Sequence, residues 1–349
     1  MNFGVKNFSF EDSDQCVVIS EVGVNHNGSI ETARKMVDAA VDAGVDIVKF
    51  QSFKSEKEIS KFAAKTPYQE ETTSAAGNQL EMCQELELDA DTLLSMQAYC
   101  QSKGVGFLCT AFEQYSVDLL ADRLKVETVK IPSSEVTNIP LLEYMGSRFQ
   151  SAILSTGAST LSETGIAIDA LKRSGCQEIM LFHCVSSYPA EFQDVNLRAI
   201  SLMRSAFRLP VGFSDHTVGI NVPIAAAALE AAAIEKHFTL DRNMVGPDHR
   251  ASIEPNELAQ MVQGIREAQL ALGSPVKQPQ PCELPNLQLI RKGLVAIGDL
   301  KAGTQLSREN IDIKRPATGI SPADLPKIIG MVLTKDVPDD APIRWEDLR

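Results

Sequence analysis

From about residue 16 to residue 272, short apolar runs alternate with longer amphipathic stretches. The first run, Cys16 to Val24, leads into a polar cluster, Glu21 to His26, and a turn at Asn27-Gly28. A helix is predicted from Ser29, a favourable N-cap, through Ala43 to a closing Gly44. The same beat returns with strands over 46–51, 106–112, 128–133, 152–156, 179–184, 211–213 and 233–234. Helices are predicted over 91–103, 116–124, 140–146, 162–174, 196–206, 219–232 and, closing the series, 255–272. About eight strand-then-helix alternations in one run predict a closed (β/α)8 TIM barrel rather than an open doubly wound sheet. No GxGxxG follows the first strand, which weakens a dinucleotide-binding reading.

Two stretches break the beat. Residues 53–80 are mixed and polar (KTPYQEETTSAAGNQ) and read as a long loop of the kind that carries function. From Gly273 the sequence GSPVKQPQPCELPN is proline-rich without periodicity and reads as a linker over 273–289. Residues 1–272 therefore form the barrel domain, and 290–349 form a small module of short β runs, turns at Lys301-Ala302-Gly303 and Pro338-Asp339-Asp340, and no long helix. About 60 residues lie near the lower limit for independent folding, so the module is expected to lean on a barrel.

Charge and cysteine usage narrow the partners. With 33 Lys and Arg against 46 Asp and Glu, the formal net charge of −13 argues against nucleic acid or an anionic membrane. Any phosphorylated ligand must then find a local basic pocket. The 7 cysteines form no CxxC pair, and Cys109 and Cys184 sit inside apolar runs, as reduced packing residues of a cytoplasmic protein would. The opening MNFGVKNFSFEDSD lacks a basic leader before an apolar core, and no run is long enough to span a bilayer. A soluble, intracellular protein is expected.

In a barrel, chemistry gathers where strands end and loops begin. The polar residues at those positions are Glu21, Lys49, Gln51, Thr110, Lys130, Ser133, Glu135, Ser155, Tyr188, Ser214, His216, His237 and Asp248. His216 and His237 end two successive strands, beside Asp215 and Glu235. Paired neutral imidazoles suit Mn, Zn, Co or Fe, and a nearby carboxylate can orient a ring. Lys49 and Lys130 emerge from strands among Ser and Thr hydroxyls, a composition that suits a small polyanion bearing phosphate and carboxylate. Each residue also has a plain packing explanation: a histidine at a strand end, a hydroxyl on a turn, a strand lysine paired with Glu21 or Glu235. Their convergence on one predicted face favours a site.

The segments EVGVNHNGS, DIVKFQSFK, VKIPSSE, ILSTG, HCVSSYPA, GFSDHT, IEKHFT and GPDHRAS, with IKRP in the tail, resemble the bacterial sialic acid synthase family. The resemblance covers nearly the whole chain after the first fifteen residues and keeps motif order. It implies condensation of phosphoenolpyruvate with an N-acylated hexosamine, by N-acetylneuraminate or legionaminate synthases. It implies a terminal antifreeze-like (SAF, β-clip) domain that crosses a domain-swapped homodimer to place Arg315 over the other copy's barrel. It implies a divalent metal on His216 and His237, Mn2+ first, with Mg2+ or Co2+ as alternatives. By the same resemblance Lys49, Ser133, Ser155 and Ser214 match phosphate-binding positions, and Thr110 and Lys130 match those holding the donor carboxylate. Glu21, Gln51, Glu135, Tyr188 and Asp248 match positions around the sugar, with Glu21 or Glu135 as the base for an attacking water. The phosphate position often supplied by Asn in HCxNxYP is Ser186 here. In the poorly matching 53–80 loop, Tyr68, Gln69, Asn78 and Gln79 are further candidates. A 3-deoxy sugar-acid phosphate synthase on the same barrel, or a non-catalytic carbohydrate- or ice-binding protein, are the rival readings.

Overall fold

A computed structural model describes Met1, residues 15–73 and residues 77–349. The reading of the N-terminal leader, and residues 74–76 of the 53–80 stretch, lie outside the described residues. The chain divides into two compact units, Met1–Gly273 and Ser274–Arg349.

The first unit is a closed barrel of eight parallel strands in sequence order. They are β1 (Val17–Gly23), β2 (Ile47–Ser52), β3 (Gly106–Ala111), β4 (Thr128–Ile131), β5 (Ser151–Ser155), β6 (Glu178–Cys184), β7 (Val211–Asp215) and β8 (Ala233–His237). β1 pairs with β8 to close the ring. The expected (β/α)8 architecture is therefore the one adopted. Strands run nearly continuously apolar because both faces are covered, inside by barrel filling and outside by helices. The outer face (Val18, Val48, Cys109, Val129, Leu154, Leu181, Phe213, Ile234) packs on helix residues such as Met36, Met96, Met145, Leu171 and Met261.

Helix ends follow local chemistry. The helix Ile30–Asp42 is capped by Ser29, whose hydroxyl accepts the Thr32 N–H, and Gly44 beyond it adopts φ +80°. The predicted helix over 219–232 is shorter, Asn221–Ala228, because Gly219 lies outside it at φ +80°. The strand expected to reach Ser133 stops at Ile131; Pro132 precedes a 3-10 turn that carries Ser133–Glu135. The 53–80 stretch is not irregular throughout. It holds short helices at Ser55–Glu58, Pro67–Thr72 and Gln79–Gln84, the last capped reciprocally by Asn78 and Glu81.

The barrel interior changes character along its axis. Its lower filling is apolar: Val17, Ile19, Ile47, Leu108, Ile153, Met180, Phe182 and Ala233, with Met1 packed against them. Two residues further along the same inward stripes stand Glu21, Lys49, Thr110, Ser155, Cys184 and Glu235, which line a cavity. Phe182 marks the boundary, its ring lying 4.5 Å below the Lys130 ammonium. Phe182 fits because Gly212 on β7 has no side chain.

The second unit has its own core, with Leu294, Leu306, Ile328, Leu333 and Ile343 at its centre. Its regular sheet is the antiparallel pair β9 (Gly293–Ala296) and β10 (Ile311–Lys314), and isolated bridges such as Leu300 with Val337 continue the pairing. Exposed Arg315 follows β10 directly.

A Cβ added to Gly212 would lie 2.4 Å from Phe182 Cε1 and 2.8 Å from the Ala233 carbonyl. Gly212→Ala should therefore destabilise the barrel by about 1–3 kcal/mol, measured by urea unfolding. An unchanged midpoint would show that Phe182 moves aside freely.

Candidate active site

At the carboxyl ends of the strands, two ammonium groups share one carboxylate. Lys130 Nζ donates to Glu235 Oε2 at 2.9 Å, and Lys49 Nζ lies 3.4 Å from Glu235 Oε1. Lys49 also reaches Glu21 Oε2 at 3.1 Å and donates to Thr110 Oγ1 at 3.1 Å. Ser214 donates to Glu235 Oε1 at 2.9 Å, and Gln51 donates to Glu21 Oε1 at 2.7 Å. All four charged residues are buried. The register places Glu21 opposite Lys49 and His237, and Ser214 opposite Glu235; with Thr110 on β3 and Lys130 on β4, six strands converge on one network.

Burial and neighbouring charge divide these groups. Burial pushes the Glu21 carboxyl up to about 7; Lys49 and the Gln51 bond oppose the rise and Glu235 adds to it. Burial works against ionised Glu235 as well, yet Lys130 and Lys49 hold it below the usual carboxylate range. Neighbouring charge thus favours the ionised form of Glu235, while burial favours the protonated form of Glu21.

A cavity of about 480 Å³ opens above them. Its lining brings together Glu21, Lys49, Gln51, Thr110, Lys130, Ser133, Ser155, Ser186, Tyr188, Ser214, His216 and His237 of the expected set. Sequence reasoning did not single out Gly157, which sits in ILSTG. Its N–H donates to Ser133 Oγ at 2.9 Å, and a Cβ there would lie 2.2 Å from Ser186 Oγ. Glycine thus leaves a hollow among Ser133, Ser186 and Cys184, and the close approach was the only signal for it.

His216 and His237 face the same cavity with ring centroids 5.5 Å apart. Tyr188 packs on His216 at 4.1 Å and edge-on to His237 at 5.7 Å, and Tyr68 stacks on Tyr188 at 5.6 Å. His216 Nδ1 lies 2.7 Å from the Val185 carbonyl, so Nδ1 carries the proton and Nε2 keeps a lone pair. His237 Nδ1 is buried without a hydrogen-bond partner and stands 3.6 Å from Asp248 Oδ2. Burial keeps both rings neutral by lowering their pKa values, with His216 adding to the effect at His237.

Two neutral imidazoles, one with an unsatisfied buried nitrogen, are a donor set that fits a divalent cation. Among the described residues no group of three His, Cys, Asp or Glu side chains is placed to cage a metal, so water or substrate would complete the coordination. The expectation that Asp215 orients a ring is corrected. Asp215 points to the opposite side of the strand, where it accepts from Lys236 at 2.6 Å, and a backbone carbonyl orients His216 instead. Glu235, also expected beside the histidines, is engaged with the lysines.

Three expected residues stand outside the cavity lining. Glu135 is buried in its 3-10 turn and accepts from Asn138 Nδ2 at 2.6 Å. Asp248 stands behind His237, and burial raises its carboxyl to about 6. Arg315 belongs to the second unit. In the 53–80 stretch, Gln69 caps its own helix by accepting the Thr66 N–H at 3.0 Å, and Asn78 caps the next by accepting from Glu81 N–H at 3.0 Å.

A (β/α)8 barrel whose mouth gathers two buried lysines, two carboxylates and two histidines around one cavity has the layout of an enzyme site. Residues 36–277 match the NeuB family and residues 291–349 match the SAF domain, and the chain belongs to the NeuB family. It is 44% identical over 330 residues to the N,N'-diacetyllegionaminic acid synthase of Campylobacter jejuni, covering 94% of this chain and 98% of that one. It is 41% identical over 337 residues to the synthase of the same name from Legionella pneumophila, covering 95% and 94%. The structure of N-acetylneuraminic acid synthetase from Leptospira borgpetersenii, in complex with citrate, has a TM-score of 0.70 at 33% identity, covering 78% of this chain and 91% of that one.

Because the Glu21 carboxyl titrates near 7 in the fold and near 4.5 when exposed, the stability held by its protonated form is complete below about 4.5. That stability is lost as pH rises through about 7. Glu21→Gln, neutral at every pH, should therefore gain stability relative to the unsubstituted chain between pH 4.5 and 8. Urea unfolding at several pH values checks this, and a pH-independent difference would refute the raised pKa.

Proposed function

We propose that this enzyme condenses phosphoenolpyruvate with the open-chain form of an N-acylated amino sugar and water, releasing inorganic phosphate and a nonulosonic acid. One observation carries the reading: two buried lysines, anchored on one carboxylate, stand beside two neutral histidines in the same barrel mouth. Among acceptors, 2,4-diacetamido-2,4,6-trideoxymannose is preferred over N-acetylmannosamine. The support is the 44% and 41% identity to two legionaminic acid synthases, against 33% to the sialic acid synthetase of Leptospira.

In this reading Lys130 and Thr110 hold the donor carboxylate. Lys49, Ser133, Ser155 and Ser214 hold its phosphate, and Ser186 with the Gly157 hollow completes that end of the cavity. Carbon 3 of the donor attacks the aldehyde carbon of the sugar, forming the carbon-carbon bond. Water adds to the cationic carbon 2, and the tetrahedral adduct loses phosphate by breaking the bond between carbon 2 and oxygen. A divalent cation on His216 and His237, Mn2+ first, would supply Lewis acidity toward the aldehyde oxygen. Glu21, poised near neutral pH and on the cavity wall, is better suited than Glu135 to take the proton from that water. Gln51 and Tyr188, on the cavity wall, surround the sugar, with Asp248 acting through its contact with His237, while Glu135 stands off the lining. The lysines orient the donor and take no part in bond making.

The reading includes a domain-swapped homodimer in which Arg315 of one copy meets the N-acyl carbonyl held by the other. It also includes a cytoplasmic setting, which the seven free cysteines and the donor metabolite favour. Among the described residues no helix is long and apolar enough to cross a membrane.

Phosphate release from phosphoenolpyruvate, measured with Mn2+ and each acceptor in turn, tests the proposal. The diacetamido sugar should give the higher kcat/KM, EDTA should abolish turnover, and Arg315→Ala should raise the acceptor KM more than the donor KM. Turnover with arabinose 5-phosphate and neither amino sugar would replace this reading with that of a 3-deoxy sugar-acid phosphate synthase.

A further inference from the structure

Behind the two histidines, on the outer side of the barrel wall, lies a charged cluster that the condensation chemistry does not use. Side chains alternate along a strand, so His216 and His237 face the cavity while their predecessors, Asp215 and Lys236, face the helices. These two are register partners on β7 and β8 with fully buried side chains, and Lys236 Nζ lies 2.6 Å from Asp215 Oδ2. Lys236 also donates to the Thr217 carbonyl. Asp215 in turn accepts the Thr217 N–H at Oδ1 and the Thr217 hydroxyl at Oδ2, both at 3.0 Å. Arg242 and Glu257, themselves paired, are the nearby charges felt by Lys236.

The neighbours on this outer face, Val211, Phe213 and Ile234, are apolar and packed under helices. An apolar pair would fill the same place without the desolvation that a buried ion pair suffers. What an apolar pair lacks is direction. The ammonium that precedes His237 grips the carbonyl that follows His216, and the carboxylate that precedes His216 grips the same Thr217. The backbone of His216 is thus tied on both sides to the strand carrying His237, while the Val185 carbonyl sets its ring.

We propose that Lys236, Asp215 and Thr217 are positioning residues: a clamp that fixes the spacing of His216 and His237 and so sets their affinity for a divalent cation. The clamp rests on the reading of the histidine pair as a metal site. The test is Mn2+ titration followed by the electron paramagnetic resonance signal of the free ion, with phosphoenolpyruvate affinity measured separately in the absence of metal. Replacing the whole pair, Asp215→Leu with Lys236→Met, avoids leaving one buried charge alone. This double variant should bind Mn2+ about tenfold or more weakly, as loss of outer support around metal ligands does, with donor affinity unchanged. Thr217→Val removes only the hydroxyl's bond to Asp215 and keeps the ion pair and both backbone bonds, so it should leave Mn2+ binding nearly unchanged. A folded double variant that binds Mn2+ as tightly as the unsubstituted protein, while His216→Ala loses the ion, overturns the clamp and leaves the metal site standing. Absence of His216-dependent Mn2+ binding in the unsubstituted protein overturns both.

Discussion

Glu235 is the residue on which the barrel mouth depends. Two ammonium groups this close would repel one another in a buried setting, and each would be costly to hold without a partner. A single carboxylate between them removes both difficulties: Oε2 takes Lys130, and Oε1 takes Ser214 and faces Lys49. Losing one partner of such a buried pair typically costs roughly 3–5 kcal/mol, so the lysines and Glu235 stand or fall together. The result is a preformed pair of ammonium groups with little net charge of its own, which suits the cradle for an anion proposed above. In the proposed reading, that is how a chain with a net charge of −13 would present a local anion site.

The cradle is placed by a change in the inward-facing stripe of each strand. Ile19 gives way to Glu21, Ile47 to Lys49, Leu108 to Thr110, Ile153 to Ser155 and Ala233 to Glu235, each within two residues. The apolar end is packed solid and makes the wall rigid, and the polar end inherits that rigidity. Phe182 joins the two layers, its edge limited by Gly212 and its face under Lys130. Packing, electrostatics and chemistry thus share one column of side chains.

Much of this was legible in the sequence because it violates local expectation. A lysine inside an apolar strand, at Lys49 and Lys130, is an anomaly that calls for an anion, and a histidine at the end of each of two successive strands calls for a shared ligand. The alternation of elements gave the barrel directly. A strand lysine paired with Glu235 was one reading of the sequence, but nothing in IEKH tells that this one carboxylate reaches across the barrel to both Lys49 and Lys130. Asp215 was assigned to a histidine although strict two-residue alternation already turns it to the other face; parity along the strand was the overlooked signal. Gly157 escaped because its use is the space it leaves, which only neighbouring strands define. Of the short helices in and just beyond the 53–80 stretch, one had its start written in Asn78 and Glu81, a capping pair spanning four residues in otherwise featureless polar sequence. The place of Arg315 cannot be read from barrel periodicity, because it belongs to the second unit.

The most direct test of this account is phosphoenolpyruvate binding to Glu235→Gln, measured calorimetrically without metal or acceptor. Counting charges alone, a site with one anion fewer should bind a polyanionic donor more tightly. If Glu235 instead holds Lys49 and Lys130 in register, affinity should fall by about tenfold or more, as when one partner of a buried charge pair is removed. Binding as tight as in the unsubstituted enzyme, or tighter, would contradict the account.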